Sequence, residues 1–360
     1  MRAMLLRTGL TVFGLIISAA LMPVPALAHE TGAEARRPLV IAHRGASGAR
    51  PEHTLAAYEV AIDEGADYVE PDLVISRDGV LIVRHEHELS GTTDIADHPE
   101  FDDRKVTKTI DGKDVTGWFS EDFTLAELKT LRAREPMGAF RPLAMAFDDL
   151  YPIATFSEVI QLVKAKQVET GRVIGIYPET KHPSYFESIG MPLEGELLRI
   201  LREEAGYEDR DDPVFIQSFE IANLKALRSQ TKLRLLQLAA VPRGATAGPR
   251  ADVSSAEGIA EIASYADAIG AEKPLVIALD DEGNLGAPTQ LVERAHALGL
   301  EVHIWTLRRE NRYLPRNFRM GAAANGTGDL AGEVAAFVAA GVDGLISDNV
   351  AETVAALDGQ

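Results

Sequence analysis

The chain of 360 residues contains no cysteine. That excludes a disulfide framework, a thiolate metal site and a cysteine nucleophile. Positive charge is scarce: 36 Lys and Arg stand against 55 Asp and Glu, for a formal charge of −19. A chain this acidic repels nucleic acid and anionic membrane surface unless a local basic patch intervenes. Past the first residues, no apolar run is long enough to span a membrane, so stable membrane insertion is not expected. Low-complexity tracts and sequence repeats are also missing. What remains is ordinary globular material, 46% hydrophobic and 25% charged. That composition rules out disorder and coiled coil as the main architecture.

The N-terminus has its own pattern. Arg2 and Arg7 open it, Leu10 to Ala20 is mostly apolar, and Pro23 and Pro25 follow as breakers. Ala26-Leu27-Ala28 has the A-x-A form of a signal-peptidase site, ahead of polar His29-Glu30-Thr31. Residues 1–28 therefore read as a signal peptide, and the protein as exported, to the periplasm or beyond. The mature domain is residues 29–360.

That domain alternates strand-like and helix-like stretches. Strands are expected at Leu39–His43, Asp67–Asp72, Val173–Glu179, Pro213–Ser218, Leu233–Leu238, Ala266–Ile269, Val302–Trp305 and Val342–Ile346. Amphipathic helix patterns fall between them, the one near Thr155–Val168 opened by a capping box. Eight strands alternating with helices point to a parallel sheet, and eight is the number that closes a TIM-type (β/α)8 barrel.

Two regions break the rhythm. Ser76-Arg77-Asp78-Gly79 turns the chain too quickly for a crossover, so Ile75–His85 reads as a β-hairpin extending the second strand. With Arg77 and Asp78 at the turn centre, Glu70 falls opposite His85. The stretch from about 88 to 150 is rich in Asp, Gly and Pro, with a helix pattern at Thr124–Arg134. A connection this long reads as an insertion subdomain or lid on the active face.

In a barrel the chemistry sits where strands end. His43 and Arg44 end the first strand, and Gly45 and Gly48 would let backbone approach a ligand. Glu70 and Asp72 lie two apart on the second strand and so face one way. Two carboxylates aimed at one spot repel unless a cation or proton lies between them. Glu179, ending the third strand, completes an oxygen-ligand set suited to Ca²⁺ or Mg²⁺. Lys181 shares its face and would neutralise an anion. His85 ends the hairpin, and with His43 it forms a pair suited to giving and taking protons. Trp305 ends the seventh strand and is expected to line the pocket. His53, His87 and His303 read as structural histidines. The arginines of Leu307–Met320 read as a solvated loop.

Together, His43-Arg44-Gly45-Ala46 with Pro51-Glu52-His53-Thr54, Glu70-x-Asp72, the Arg77-Asp78-Gly79 turn leading to His85, Tyr177-Pro178-Glu179-Thr180-Lys181, and Gly341 through Asp348 resemble the glycerophosphodiester phosphodiesterase family. With its insertion and leader the chain is most similar to the exported, periplasmic-type branch. The resemblance implies hydrolysis of small-molecule glycerophosphodiesters to glycerol 3-phosphate and an alcohol. It implies His43 and His85 as the proton-transfer pair, Glu70, Asp72 and Glu179 as ligands of one divalent cation, and Arg44 and Lys181 as phosphate contacts. Two departures stand out: His53 replaces the usual Asn, and His85-Glu86 the usual His-Asp. The rivals are a phospholipase-like lipid phosphodiesterase on the same barrel and a non-enzymatic binding protein or adhesin on a degenerate one. The polar composition of the insertion favours soluble substrates over lipid, and retention of all five acid and imidazole groups argues against degeneracy.

Overall fold

The computed structural model describes residues 37–110, 112–243 and 249–359. The leader expected over residues 1–28 lies outside the described residues. Eight parallel staves form a ring: Leu39–His43; Tyr68–Glu70 continuing as Asp72–Ile75; Gly175–Ile176 continuing as Glu179–Thr180; Phe215–Ser218; Arg234–Ala239; Ala268–Glu272; Glu301–Leu307; and Gly344–Ser347. Each pairs with the next in parallel, and the eighth returns to the first through Leu39↔Gly344 to Ala42↔Ser347. The barrel expected from the eightfold rhythm is the fold.

Staves two and three are each broken at a proline, Pro71 and Pro178. Proline has no N–H for the ladder, so pairing lapses there and resumes one residue later. Asp72 and Glu179, the first residues past the two breaks, pair with each other across the sheet. The prolines thus mark the two ladder breaks directly ahead of Asp72 and Glu179.

The core has two parts. Inside the ring, Ile41, Tyr68, Tyr177, Phe215, Leu236 and Ile346 fill the barrel. Buried His303 belongs to this plug, with its Nδ1 2.6 Å from the Tyr177 hydroxyl. A larger apolar layer joins the outer sheet face to the helices. The helix Phe156–Thr170 opens on the expected Thr155–Glu158 capping box and ends at left-handed Gly171. A mutual cap of this kind satisfies two end groups that the helix itself leaves without partners.

The hairpin forms, but in a different register. Leu73 pairs Val83 and Ile75 pairs Leu81, so the pairing is centred on Asp78 alone. Gly79, at φ +82°, supplies the left-handed residue of a three-residue loop. The pairing therefore does not set Glu70 opposite His85; instead the Arg84 N–H donates to the Asp72 carbonyl. In the insertion, the helix expected at Thr124–Arg134 is a single turn, Leu125–Leu128, after which the chain bridges to Pro152 through Arg132. A hairpin of Val106–Ile110 and Lys113–Gly117 fills part of the rest.

Candidate active site

Stave ends converge on one cleft of about 460 Å³, lined by His43, Arg44, Glu70, His85, Glu179, Lys181 and Trp305 among others. His43 lies beside Glu70 in the ladder. Arg44 follows in a left-handed turn (φ +60°), and its N–H donates to Glu70 Oε2 at 2.8 Å. His53, also left-handed, returns the loop by donating its N–H to the Arg44 carbonyl. Both side chains then reach Asp72: Arg44 Nε lies 3.4 Å and His53 Nε2 2.9 Å from Oδ2. Non-glycine residues in this conformation persist only where surroundings hold them, and such strain gathers at functional sites.

Gly45 and Gly48 are required by packing. A Cβ on Gly45 would lie 2.7 Å from the Ala57 backbone, and one on Gly48 2.4 Å from the Asn349 amide. These glycines let the loop press onto the first helix and the last stave.

The carboxylates of Glu70, Asp72 and Glu179 each offer an oxygen within 4.8 Å of the others. All three are buried. Burial and the neighbouring Asp72 and Glu179 charges push Glu70 well above the usual carboxylate range. Glu179 rises to about 7, through burial and Asp72 working against Lys181. Asp72 goes the other way: burial opposes its charge, but Lys181, His53 and Arg44 hold it ionised. Asp72 Oδ1 is buried without a hydrogen-bond partner. An oxygen triad that repels itself, with one lone oxygen, fits a divalent cation.

The two imidazoles are held alike. His43 Nδ1 lies 2.6 Å from Asp348 Oδ1, and His85 Nδ1 lies 2.8 Å from Glu86. Burial and Arg44 lower both to about 4, with Lys181 adding to the effect at His85. Burial works against the Asp348 charge, but Arg308, Arg141 and His43 keep it well below the usual carboxylate range. An ionised Asp348 accepts the hydrogen bond of Nδ1–H and keeps the proton on that nitrogen, so His43 Nε2 keeps its lone pair.

Four residues not singled out from the sequence complete the constellation. Asp348 orients His43. Arg141, from the insertion, binds Asp348 and Glu310 and donates to the Ser47 carbonyl, tying that segment to the rim. Gln217 donates to Glu70 Oε1 at 2.8 Å. Glu52 pairs with Arg44, which holds it down to about 2 against the effect of burial. Asp348 and Glu52 had a signal, since both lie in the quoted motifs at stave or loop ends. Gln217 and Arg141 had none. Trp305 lies in the cleft, its indole N–H on the Gly270 carbonyl and its ring edge-to-face with Phe219. The arginine loop is not simply solvated, because Arg308, Arg312 and Arg319 line the same cleft.

A barrel whose rim joins three buried carboxylates, two imidazoles, Arg44 and Lys181 defines a class of acid–base phosphate-handling enzymes. Residues 43–352 match the glycerophosphoryl diester phosphodiesterase family, and the chain belongs to it. It is 38% identical over 296 residues to glycerophosphodiester phosphodiesterase GDPD6 of Arabidopsis thaliana, covering 78% of this chain and 77% of that one. It is 31% identical over 299 residues to the glycerophosphodiester phosphodiesterase of Haemophilus influenzae, covering 76% and 79%. Among solved structures, one from Silicibacter pomeroyi, a putative glycerophosphoryl diester phosphodiesterase, superposes with a TM-score of 0.62 at 20% identity, covering 89% and 93%. A phosphodiesterase from Oleispira antarctica, in complex with its product sn-glycerol-3-phosphate, does so with 0.57 at 21% identity, covering 89% and 97%.

Proposed function

We propose that this chain hydrolyses glycerophosphodiesters to glycerol 3-phosphate and an alcohol. The observation that carries this is the convergence of His43, His85, the Glu70–Asp72–Glu179 triad, Arg44 and Lys181 on one cleft. Family membership and relatives named for this activity support it.

A phosphodiester carries a negative charge that repels nucleophiles. Glu70, Asp72 and Glu179 would hold a Ca²⁺ or Mg²⁺ ion, which would supply positive charge against the more highly charged transition state. Arg44 and Lys181 add to it, fixed in place by Glu52 and Glu179 respectively. His43 Nε2, its tautomer set by Asp348, takes the proton of the attacking oxygen. His85 protonates the departing alkoxide as the P–O bond breaks. To do so His85 must first be charged. A bound anionic phosphate offsets Arg44 and Lys181, the cations that keep it neutral, and raises its proton affinity.

The test is His85→Ala on two diesters, one with an activated leaving group and one with an ordinary alcohol. The ordinary alcohol is expected to lose about 10²–10⁴-fold in rate and the activated one far less. Equal losses would overturn the acid role. One observation favours a lipid substrate instead: the insertion exposes Leu143 and Leu150, at 74% and 59%. Running lysophosphatidylcholine beside glycerophosphocholine decides between them, and preferential cleavage of the lipid would replace the soluble substrate.

A further inference from the structure

We propose that the far side of the cleft is a subsite for a negatively charged alcohol half of the substrate, bound by Arg312 and Arg319. This rests on the phosphodiesterase reading and adds the chemistry of the second alcohol.

Around the ring, staves six and seven lie across from staves two and three, which carry the carboxylate triad. The end of stave six and the segments that follow staves six and seven bring Glu272, Lys273, Arg308, Arg312, Arg319 and Glu333 to the cleft. Most of these charges are matched. Arg243, also on the cleft, pairs with Glu272 at 2.6 Å, Lys273 with Glu333 at 2.7 Å and Arg308 with Asp348 at 2.7 Å. Arg312 and Arg319 have no carboxylate partner among the described residues. Arg319 Nε donates only to the Leu314 carbonyl.

Two uncompensated guanidiniums in one cleft run against a chain of charge −19, so the excess is local. A cationic head group would meet repulsion here. Tyr313, an aromatic ring on this part of the cleft, already has Arg308 at 4.8 Å and Arg312 at 6.0 Å from its centroid, and Arg312 also lies 5.2 Å from that of Phe140. An anionic group meets two planar donors suited to phosphate or carboxylate.

The loop is also braced. The Arg316 N–H donates to the Gly283 carbonyl, and the Leu285 N–H to Asn317 Oδ1, joining it to the hairpin of Ile277–Leu279 and Leu285–Pro288. Asn311 ties its ends together through Met320 and Ala323. A cleft of about 460 Å³ has room for a diester spanning both sides, being within the ~300–1,000 Å³ usual for ligand sites.

The experiment measures kcat/KM of the wild type and the Arg312→Gln/Arg319→Gln double variant on glycerophosphoinositol 4-phosphate, glycerophosphoinositol and glycerophosphocholine. A parallel titration measures binding of inositol 4-phosphate by calorimetry. The wild type is expected to favour the phosphorylated diester over the choline diester at least tenfold. The double variant is expected to shrink that ratio about tenfold, equivalent to about 1.4 kcal/mol, and to weaken inositol 4-phosphate binding as much. Equal wild-type values for the three diesters, or a ratio that survives the double variant, overturn the subsite. Absence of all hydrolysis, with binding still lost in the variant, overturns the phosphodiesterase reading and leaves the subsite standing. Binding untouched by the variant, in a protein without hydrolysis, overturns both.

Discussion

On one side of the cleft, Glu70, Asp72 and Glu179 come from two adjacent staves and are fixed by backbone pairing and by Arg44, His53, Gln217 and Lys181. On the other, the basic groups come from loops that leave the barrel and return to it. The first side holds buried like charges that a fold tolerates only for a purpose, since burial and mutual repulsion both oppose them. The second holds Arg312 and Arg319, exposed charges that cost the fold little and are free to vary. On the function and subsite proposed above, chemistry is lodged in the sheet and selection among substrates in the loops, the division expected of a barrel that keeps its rim and changes its connections.

The largest way to break this contrast is Glu179→Gln. It keeps shape and burial but removes a charge from the triad. Activity is expected to fall about 10³-fold or more, with loss of divalent-cation binding in a calorimetric titration. The protein should not be destabilised without cation, because a repelling charge has gone. Full activity in Glu179→Gln would show that the triad is structural. Asp348→Asn is the next in size. Geometry survives, but the amide no longer holds the proton on His43 Nδ1, and the rate is expected to drop about 10²-fold. The same change leaves Arg308, which lines the cleft, without its carboxylate partner, so the orienting role is read from kcat and its pH profile. A fall confined to KM would count against the orienting role.

The sheet side was legible because its chemistry is local in sequence. Glu70 and Asp72 lie two apart, His43 and Arg44 are adjacent, and strand alternation told which side chains face together. All eight staves lay within a few residues of their expected places for the same reason. The hairpin register was missed because it depended on whether Gly79 belongs to the turn, and a one-residue change in the loop shifts every pair. The long helix in the insertion failed because helical spacing alone does not hold a helix; after Leu128 its residues bond to Asp94 and Tyr151 instead. Gln217 and Arg141 were invisible because their partners, Glu70 and Asp348, are brought to them only by closure of the barrel. The arginine loop was read in part: Arg312, Arg316 and Arg319 are exposed, as expected, but composition cannot tell that Arg308, Arg312 and Arg319 also line a cleft.

A third expected effect, on stability and not on rate, concerns what crowded acids cost the fold near the sheet side. Glu135, in the insertion, is buried, accepts from the Met137 N–H through Oε1 and leaves Oε2 without a partner. Burial raises it to about 7; Glu52 and Asp348 add to this and Arg141 opposes it. A carboxyl whose folded value lies above its unfolded one, 4.5, favours folding most below pH 4.5. That contribution fades as pH climbs and is gone above pH 7, where the folded protein must carry the charge. Glu135→Gln cannot ionise. Its stability relative to the wild type should therefore rise between pH 4.5 and 7 by up to ~3 kcal/mol and then level off. Urea unfolding of both proteins across that range measures it. A difference that does not change with pH would mean that Glu135 is solvated and the crowding ends at the cleft wall.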